Sequence, residues 1–379
     1  MLKNKKIGFI GWRGMVGSVL LERMISKKEF KNFFPIFFST SQHGKYFSIL
    51  EQNKLIENAF DINKLKKLDI IVTCQGSKYT NYIHPQLRQL GWSGYWIDTA
   101  SSLRMRKDSL IVLDPINKIS INHALSNGIK NFIVANCTVC LMLMTLNGLF
   151  KKNLIDHISM TTYQAASGAG SNNLFELFIQ IKELYSVIKK ELNINIKKNI
   201  LSIEKKINKF MRSSKITKKA FGEPLIGSLI PWIGKKMPQN QTYEEWKCHV
   251  ELNKILNRTG TKNNPFISIN SICVRVATFR CHSQSFFIKL NKNISINKIK
   301  ELLLLDNNWV KIIPNNSKDT IQKLTPTAVS GKLIIHVGRL RKFKIKNENY
   351  LSVFSVGDQI LWGSVEPLRR MLRILYLKQ

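Results

Sequence analysis

Acidic side chains are scarce in this sequence. Only 24 of its 379 residues are Asp or Glu, against 59 Lys and Arg, which leaves a formal net charge of +35. Such a balance invites a nucleic-acid reading, but arginine is scarce too: 14 of the cations are Arg and 45 are Lys, and the lysines are dispersed with Asn and Ile along the whole chain. Readers of phosphate backbones and bases gather Arg and Lys on one helix or stripe with aromatics between them. No such stripe, zinc finger or RNA-recognition signature occurs. Compositional drift toward Lys, Asn and Ile accounts for the surplus, so no specific nucleic-acid partner is expected, although distributed positive charge can still attract small anions.

Long apolar runs are missing as well. The longest, Val139 to Phe150, is too short to span a bilayer and contains Thr145 and Asn147, so it reads as a buried helix and no membrane partner is expected. The basic start, Met1 to Lys6, precedes an apolar stretch broken by Gly11, Arg13 and Gly14, unlike a secretion signal. Six cysteines (Cys74, Cys137, Cys140, Cys248, Cys273, Cys281) without such a signal give no disulfide framework. A cytoplasmic, reducing location is the expectation.

What is present suits a folded protein of two domains, since 44% of the residues are hydrophobic. Short apolar runs at Lys6–Ile10, Pro35–Phe38, Asp69–Val72, Tyr95–Asp98, Leu110–Leu113 and Asn131–Val134 are spaced for crossover helices, as in a parallel sheet covered on both faces. Beyond Asn136 the pattern changes. A helix is expected from Asn172 to Leu192, with Leu174, Leu177, Phe178, Ile181, Leu184, Tyr185 and Ile188 on one face. A solvated, Lys-rich helix and loop should follow from Asn193 to Lys219. Alternation through Asn270 to Leu290 predicts a strand with Ile272, Val274 and Val276 facing the core and Arg275 facing away. The end, from Val356 to Leu375, reads as a helix whose late Arg369, Arg370 and Arg373 suit a C-terminus.

Between the first strand and the first helix, Gly8 to Gly17 contains Gly11, Gly14 and Gly17 in a G-x-x-G-x-x-G spacing. Glycines there allow a tight turn and close approach of a pyrophosphate to a helix N-terminus. An NAD site would place a carboxylate at the end of the next strand for the ribose hydroxyl; here the residues are Phe37-Phe38-Ser39-Thr40-Ser41. Hydroxyls there, with Arg13 in the loop, accommodate a 2′-phosphate, so NADP is favoured.

Cys137 in Asn136-Cys137-Thr138 stands where an apolar strand gives way to the oily helix. The positive end of the helix dipole is expected to lower its pKa and make it nucleophilic. The spacing Cys137-x-x-Cys140 also admits a redox pair or half a zinc site, but no matched second pair accompanies it. An acyl-forming thiolate needs a proton partner. His282, in the polar cluster Arg280-Cys281-His282-Ser283-Gln284, is one candidate beside His84 and His336.

Taken in order, Gly11-Trp12-Arg13-Gly14-Met15-Val16-Gly17, Phe38-Ser39-Thr40-Ser41-Gln42, Asn136-Cys137-Thr138-Val139, Tyr163-Gln164-Ala165-Ala166-Ser167-Gly168 and Arg280 to Gln284 closely resemble the aspartate-semialdehyde dehydrogenase family, in its Gram-negative bacterial branch. The resemblance covers essentially the whole length, including Glu244-Glu245-Trp246-Lys247 and Val356-Gly357-Asp358-Gln359. It implies an α/β fold: a Rossmann-like NADP-binding domain (1–135 and 358–379) and an α+β catalytic and dimerisation domain (136–357) of the glyceraldehyde-3-phosphate dehydrogenase-like type. It implies a homodimer and NADPH-dependent reductive dephosphorylation of 4-phospho-L-aspartate to L-aspartate 4-semialdehyde, a precursor of lysine, threonine, methionine and diaminopimelate. The small-molecule partners are then aspartyl phosphate, the semialdehyde and phosphate, with no metal.

Residue by residue, the resemblance assigns the nucleophile to Cys137 and acid/base work to His282. Arg275 would hold the substrate carboxylate, Glu244 its ammonium, Gln164 its position, and Arg104 and Lys247 the phosphate. NADP contacts fall on Arg13, Gly14, Met15, Val16, Thr40, Ser41, Gln75, Ser167, Gly168 and Gln359. The chain departs from the family's glycines at Val134-Ala135 and Ala169, and it lacks the family's proline in Asn193–Asn199. A related enzyme, N-acetyl-glutamyl-phosphate reductase, shares the thioester logic, but its amide carries no positive charge for Glu244 to pair.

Overall fold

The computed structural model describes residues 5–49, 52–191, 200–305 and 307–377. Its first sheet contains β1 (Lys6–Ile10), β2 (Phe34–Ser39), β3 (Tyr46–Ile49), β4 (Gln52–Asn58), β5 (Ile70–Thr73), β6 (Tyr95–Asp98), β7 (Ser109–Val112) and β8 (Asn131–Val134). They lie in the order β3-β4-β2-β1-β5-β6-β8-β7, all parallel except the β3–β4 pair. Apolar residues on both sides of the central strands β1, β5, β6 and β8 explain why that part of the sheet is covered on both faces, whereas the edge strands β3 and β4 are largely exposed. Ile10, Phe38, Ile71, Trp96 and Ile133 point into one core with Ile83 and Leu87 of the helix Ser77–Gln89. Their neighbours Phe9, Phe37, Val72, Ile97 and Phe132 point into the other, against the helices Met15–Ser26, Asp114–Ser126 and Glu366–Leu377. Order reverses between β1 and β5, and the turn after β1 is pressed against its helix. Gly11 has φ of +73°, and a Cβ on Gly17 would lie 2.3 Å from the Gly11 carbonyl oxygen, so glycine is required at both.

The second sheet is mixed and contains β9 (Ile155–Ala165), β10 (Leu229–Ile230), β11 (Ser268–Val276), β12 (His282–Leu290), β13 (Val310–Ile312), β14 (Ile335–Ile345) and β15 (Glu348–Gly357). Their order is β10-β11-β9-β12-β15-β14-β13. One face is covered by the helices Cys137–Lys151, Tyr243–Ile255 and Ile296–Leu305. Every residue from Thr138 to Phe150 is buried, because this helix is enclosed by both units. Ile111 and Leu113 reach it from the first, and Ile158, Phe286 and Val337 from the second. No helix among the described residues is long and apolar enough to cross a membrane.

Three sequence expectations change. In β11 the core-facing side carries Cys273 and Arg275, both buried, while Ile272 is 57% exposed on the far face. The pairing of Arg275 with Gln164 and of Ile272 with Thr161 fixes that orientation. Alternation alone could not identify the covered face, because the far face is also apolar: Tyr163 and Phe287 lie exposed beside Ile272. The helix expected from Asn172 runs Ser171–Ile188, with Leu177 buried but Phe178 and Tyr185 exposed. Downstream, the helix Ile200–Met211 forms, and residues 192–199 lie outside the described residues. The late arginines are not in the last turn, and Arg369 and Arg370 pair with acids instead of the helix dipole. Arg369 is buried with Glu29 and Glu366, and Arg370 meets Asp114 at 2.6 Å.

Removing the Arg369 guanidinium leaves two buried carboxylates without that partner. Arg369→Leu is therefore expected to lower stability by about 3–5 kcal/mol, read by denaturant unfolding; a loss under about 1 kcal/mol would show that the network contributes little.

Candidate active site

Strand β8 ends at Val134, and the helix from Cys137 begins after two intervening residues, so the turn lies at the C-terminal edge of the parallel sheet. Asn136 caps that helix, its Oδ1 accepting from the Thr138 N–H (2.9 Å) and the Val139 N–H (3.3 Å). Val134 and Ala135, which replace family glycines, pack into the two cores, and Ala169 is exposed. Behind the sulfur-bearing residue the chain's return segment comes very close. A Cβ on Gly363 would lie 2.4 Å from Cys137 Cβ, so only glycine fits there.

Across from this turn, on the helix-covered face of the second sheet, stand Gln164, Arg275 and His282. The Cys137 Sγ lies 3.4 Å from His282 Nε2, although 145 residues separate them. Both polar side chains beside the sulfur are anchored on the backbone of Ala165. Its N–H donates to His282 Nδ1 at 3.1 Å, and its carbonyl accepts from Arg275 Nη1 at 2.7 Å. An accepting Nδ1 puts the proton of the neutral ring on Nε2, facing the sulfur. Burial, reinforced by the Arg275 charge, lowers the His282 pKa to about 3, so the ring is neutral near pH 7. His84 and His336, the other candidates, are occupied elsewhere: His84 meets Asn131 Oδ1 at 2.8 Å, and His336 Nδ1 meets the Lys323 carbonyl at 2.5 Å.

The expected low-pKa thiolate is not what the structure gives. Burial pushes the Cys137 thiol up to about 11, and the Glu244 carboxylate adds to the rise against the pull of Arg275, Lys247 and Arg104. Desolvation and a nearby anion outweigh the helix dipole.

The helix Tyr243–Ile255 supplies the acids. Its start is fixed by a capping box between Thr242 and Glu245, which turns Glu244 toward the nucleophile. Glu244 Oε1 accepts from Asn136 Nδ2 (3.0 Å), Gln164 Nε2 (3.2 Å) and Thr138 Oγ1 (3.4 Å), while Oε2 takes Lys247 Nζ at 3.0 Å. Burial alone would raise the Glu244 pKa, but the Lys247 ammonium and the Asn136 amide hold it at about 2. Two predicted ligands of opposite charge, Glu244 and Lys247, are thus paired with each other. Arg104 is buried as well and meets Glu251 at 3.0 Å. Glu251, Thr138, Gln284 and Gly363 were not marked by the sequence reading. For Glu251 a signal existed, because seven residues after Glu244 and four after Lys247 place it on their side of the helix. Gln284 Nε2 holds the Thr138 carbonyl at 2.9 Å. For Gly363 nothing local distinguished it.

The remaining predicted residues divide. Ser167, Gly168 and Gln359 gather at the sulfur end: Gln359 Nε2 donates to Ser167 Oγ (2.6 Å), its Oε1 accepts from the Cys281 N–H (2.6 Å), and a Cβ on Gly168 would lie 2.9 Å from His282 Cε1. Arg13, Gly14, Met15, Val16, Thr40, Ser41 and Gln75 gather at the ends of β1, β2 and β5. Arg13 Nη2 donates to Ser39 Oγ at 2.8 Å, the Ser41 N–H to the same oxygen at 3.2 Å, and Gln75 Nε2 to Thr40 Oγ1 at 3.3 Å. Gly14 is the N-cap of the helix Met15–Ser26, which has no side-chain cap. Both groups border the carboxyl edge of one parallel sheet, where open α/β folds bind ligands.

Known proteins share this two-unit architecture. The semialdehyde dehydrogenase NAD binding domain matches residues 6–124, and the semialdehyde dehydrogenase dimerisation domain matches residues 146–362. The chain is 45% identical to an aspartate semialdehyde dehydrogenase from Francisella tularensis, covering 98% of this chain and 99% of that one with a TM-score of 0.91. It shares its fold with aspartate semialdehyde dehydrogenase II of Vibrio cholerae complexed with ASA (21% identity, 99% of each chain, TM-score 0.76). The same holds for the Candida albicans enzyme with NADP (14% identity, 98% of each chain, TM-score 0.63).

A thiol near 11 beside a neutral imidazole makes a pH prediction. Alkylation of Cys137 by iodoacetamide, measured against a Cys137→Ser background, should rise about tenfold per pH unit between roughly pH 7 and 10. A plateau beginning near neutrality would instead reveal an imidazolium–thiolate pair. Gly363→Ala should overpack the back of Cys137 and destabilise the protein by about 1–3 kcal/mol, measured by chemical denaturation; an unchanged midpoint would contradict the close contact.

Proposed function

This chain belongs to the aspartate-semialdehyde dehydrogenase family, and we propose that it converts 4-phospho-L-aspartate, with NADPH, into L-aspartate 4-semialdehyde and phosphate through a thioester on Cys137. The observation that carries this reading is the 3.4 Å approach of Cys137 Sγ to His282 Nε2, bordered by Arg275 and Glu244.

The dinucleotide site fits its cofactor on three features of this chain. Glycine is sterically required at Gly11 and Gly17, the helix beyond Gly14 lacks a side-chain cap, and β2 ends in Ser39 with Arg13 bonded to it instead of a carboxylate. An uncapped helix start suits a pyrophosphate, and Arg13 with Ser39, Thr40 and Ser41 suits a 2′-phosphate, so NADP is favoured over NAD. The Candida albicans enzyme carries NADP. When bound, NADPH supplies the hydride that reduces the thioester carbonyl.

This chain's residues do the rest. Arg275 grips the substrate α-carboxylate and Glu244, an anion down to about pH 2, receives its ammonium. Gln164, bonded to both Thr138 and Glu244, sets the distance between that ammonium and the nucleophile turn. The sulfur attacks the acyl carbon, the carbon–oxygen bond to phosphate breaks, the thiol proton leaves on the phosphate, and Arg104 and Lys247 stabilise the departing hydrogenphosphate dianion. After reduction, the Nε2–H of His282 acts as the acid that stabilises the alkoxide on the former carbonyl through a hydrogen bond; as the carbon–sulfur bond breaks and the aldehyde forms, the Cys137 thiolate that is released takes one proton from water and the thiol is restored. The Ala165 N–H, bonded to Nδ1, keeps the ring proton on Nε2. The product is an aldehyde suited to lysine, threonine, methionine and diaminopimelate synthesis. The apolar far face of the second sheet, with Tyr163, Ile272 and Phe287 exposed, supports a homodimer built through the unit matched by the dimerisation domain.

The reverse assay tests the reading: purified protein, L-aspartate semialdehyde, phosphate and NADP, followed by nicotinamide absorbance. Reduction should depend on phosphate and be faster with NADP than with NAD. Cys137→Ser should abolish it while NADPH binding, followed by fluorescence, stays nearly unchanged. Turnover without phosphate, or persisting in the serine variant, would overturn the covalent route.

A further inference from the structure

Glu251 has no part in the chemistry above, yet it is 1% exposed and both its oxygens are engaged at the site. Oε1 accepts from Arg104 Nη1 at 3.0 Å, and Oε2 accepts from the backbone N–H of Asn136 at 2.7 Å. It therefore ties the guanidinium assigned to phosphate directly to the peptide that precedes the nucleophile. We propose that Glu251 is a positioning residue that locks Arg104 to the nucleophile turn, so that the phosphate cation and the Cys137 sulfur are held in fixed register. The proposal rests on the reading of Arg104 as a phosphate ligand.

Donor arithmetic supports the role. A guanidinium has five N–H groups. In Arg104 one goes to the Val134 carbonyl (2.8 Å), one to the Thr99 carbonyl (3.0 Å) and one to Glu251 (3.0 Å). Two remain for an anion, and the three fixed bonds decide where they point. Burial disfavours the Arg104 cation, but the Glu251 carboxylate more than compensates and raises its pKa. One turn of helix further, Lys254 Nζ donates to the carbonyls of Arg104 (2.6 Å) and Arg106 (2.8 Å). The helix that presents Glu244 and Lys247 to the substrate thus also holds the backbone and side chain of the loop after β6. A neutral amide at 251 cannot replace the carboxylate, because one end of a Gln side chain would turn an N–H toward the Arg104 or Asn136 donor.

The test compares the wild type with Glu251→Gln and Glu251→Asp in the reverse assay. Glu251→Gln should raise the KM for phosphate at least about tenfold while the KM for the semialdehyde, held by Arg275 and Glu244, stays within about threefold. Glu251→Asp keeps the charge but is one methylene shorter; its phosphate KM should exceed that of the wild type by more than about twofold and stay below that of Glu251→Gln, a partial rescue that a purely structural role does not require. If Glu251→Gln does not fold, Glu251→Asp decides alone, and a phosphate KM within about twofold of wild type overturns the proposal. So does a Glu251→Gln variant that loses thermal stability or kcat with its phosphate KM unchanged. A second readout needs no turnover: phosphate should protect Cys137 from iodoacetamide, and Glu251→Gln should raise the half-protecting phosphate concentration at least about tenfold. Absence of phosphate-dependent turnover in the wild type would count against the proposed reaction, whereas an unshifted protection midpoint would count against Glu251.

Discussion

One residue, Ala165, carries the geometry of the site. Its N–H and its carbonyl each fix a different side chain beside the sulfur. That arrangement exists only because β9 runs between a parallel neighbour, β11, and an antiparallel one, β12. A one-residue slip in either pairing would move Arg275 or His282 to the far face. The sheet register, set by apolar residues remote from the pocket, is therefore what determines which imidazole nitrogen meets Cys137.

The electrostatics inside differ from those of the surface. The sequence carries a large positive excess, yet the buried cations near the sulfur have anionic partners: Lys247 with Glu244 and Arg104 with Glu251. Buried charges are costly unless matched, and matched pairs keep the pocket preformed. In the proposed reaction, a substrate bearing both an ammonium and a phosphate exchanges partners with a pair already in place instead of assembling one. Arg275 is the exception, anchored on a carbonyl and not on a carboxylate.

Much of this was legible in the residues, and the failures have physical reasons. The parallel strands could be read because a strand buried on both faces must be apolar throughout. The Gly11 to Gly17 turn could be read because it leaves no room for side chains. The direction of Arg275 could not, since both faces of β11 carry apolar residues and only the helix packing decides which is covered. The ionisation of Cys137 was not legible, because burial of the thiol by both units and a carboxylate brought in from another helix outweigh the local helix dipole. His282 could be singled out only by resemblance; its surroundings come from β9 and the helix at Cys137, both remote in sequence. Glu251 was within reach of helical spacing alone, and was overlooked because a helix face full of charges usually faces water.

Gly363 belongs to the segment that returns from the second sheet to the first, after nearly all the rest of the chain has been laid down. In the same stretch Gln359 binds the N–H of Cys281, and Asp358 pairs with Arg280 at 2.7 Å, so the backs of both reacting residues are closed by the chain's final crossing. Loosening of that short return segment would strip the sulfur and the imidazole of their supports while the strands of both sheets stay paired, so the shielding of Cys137 depends on a stretch of backbone that belongs to neither sheet.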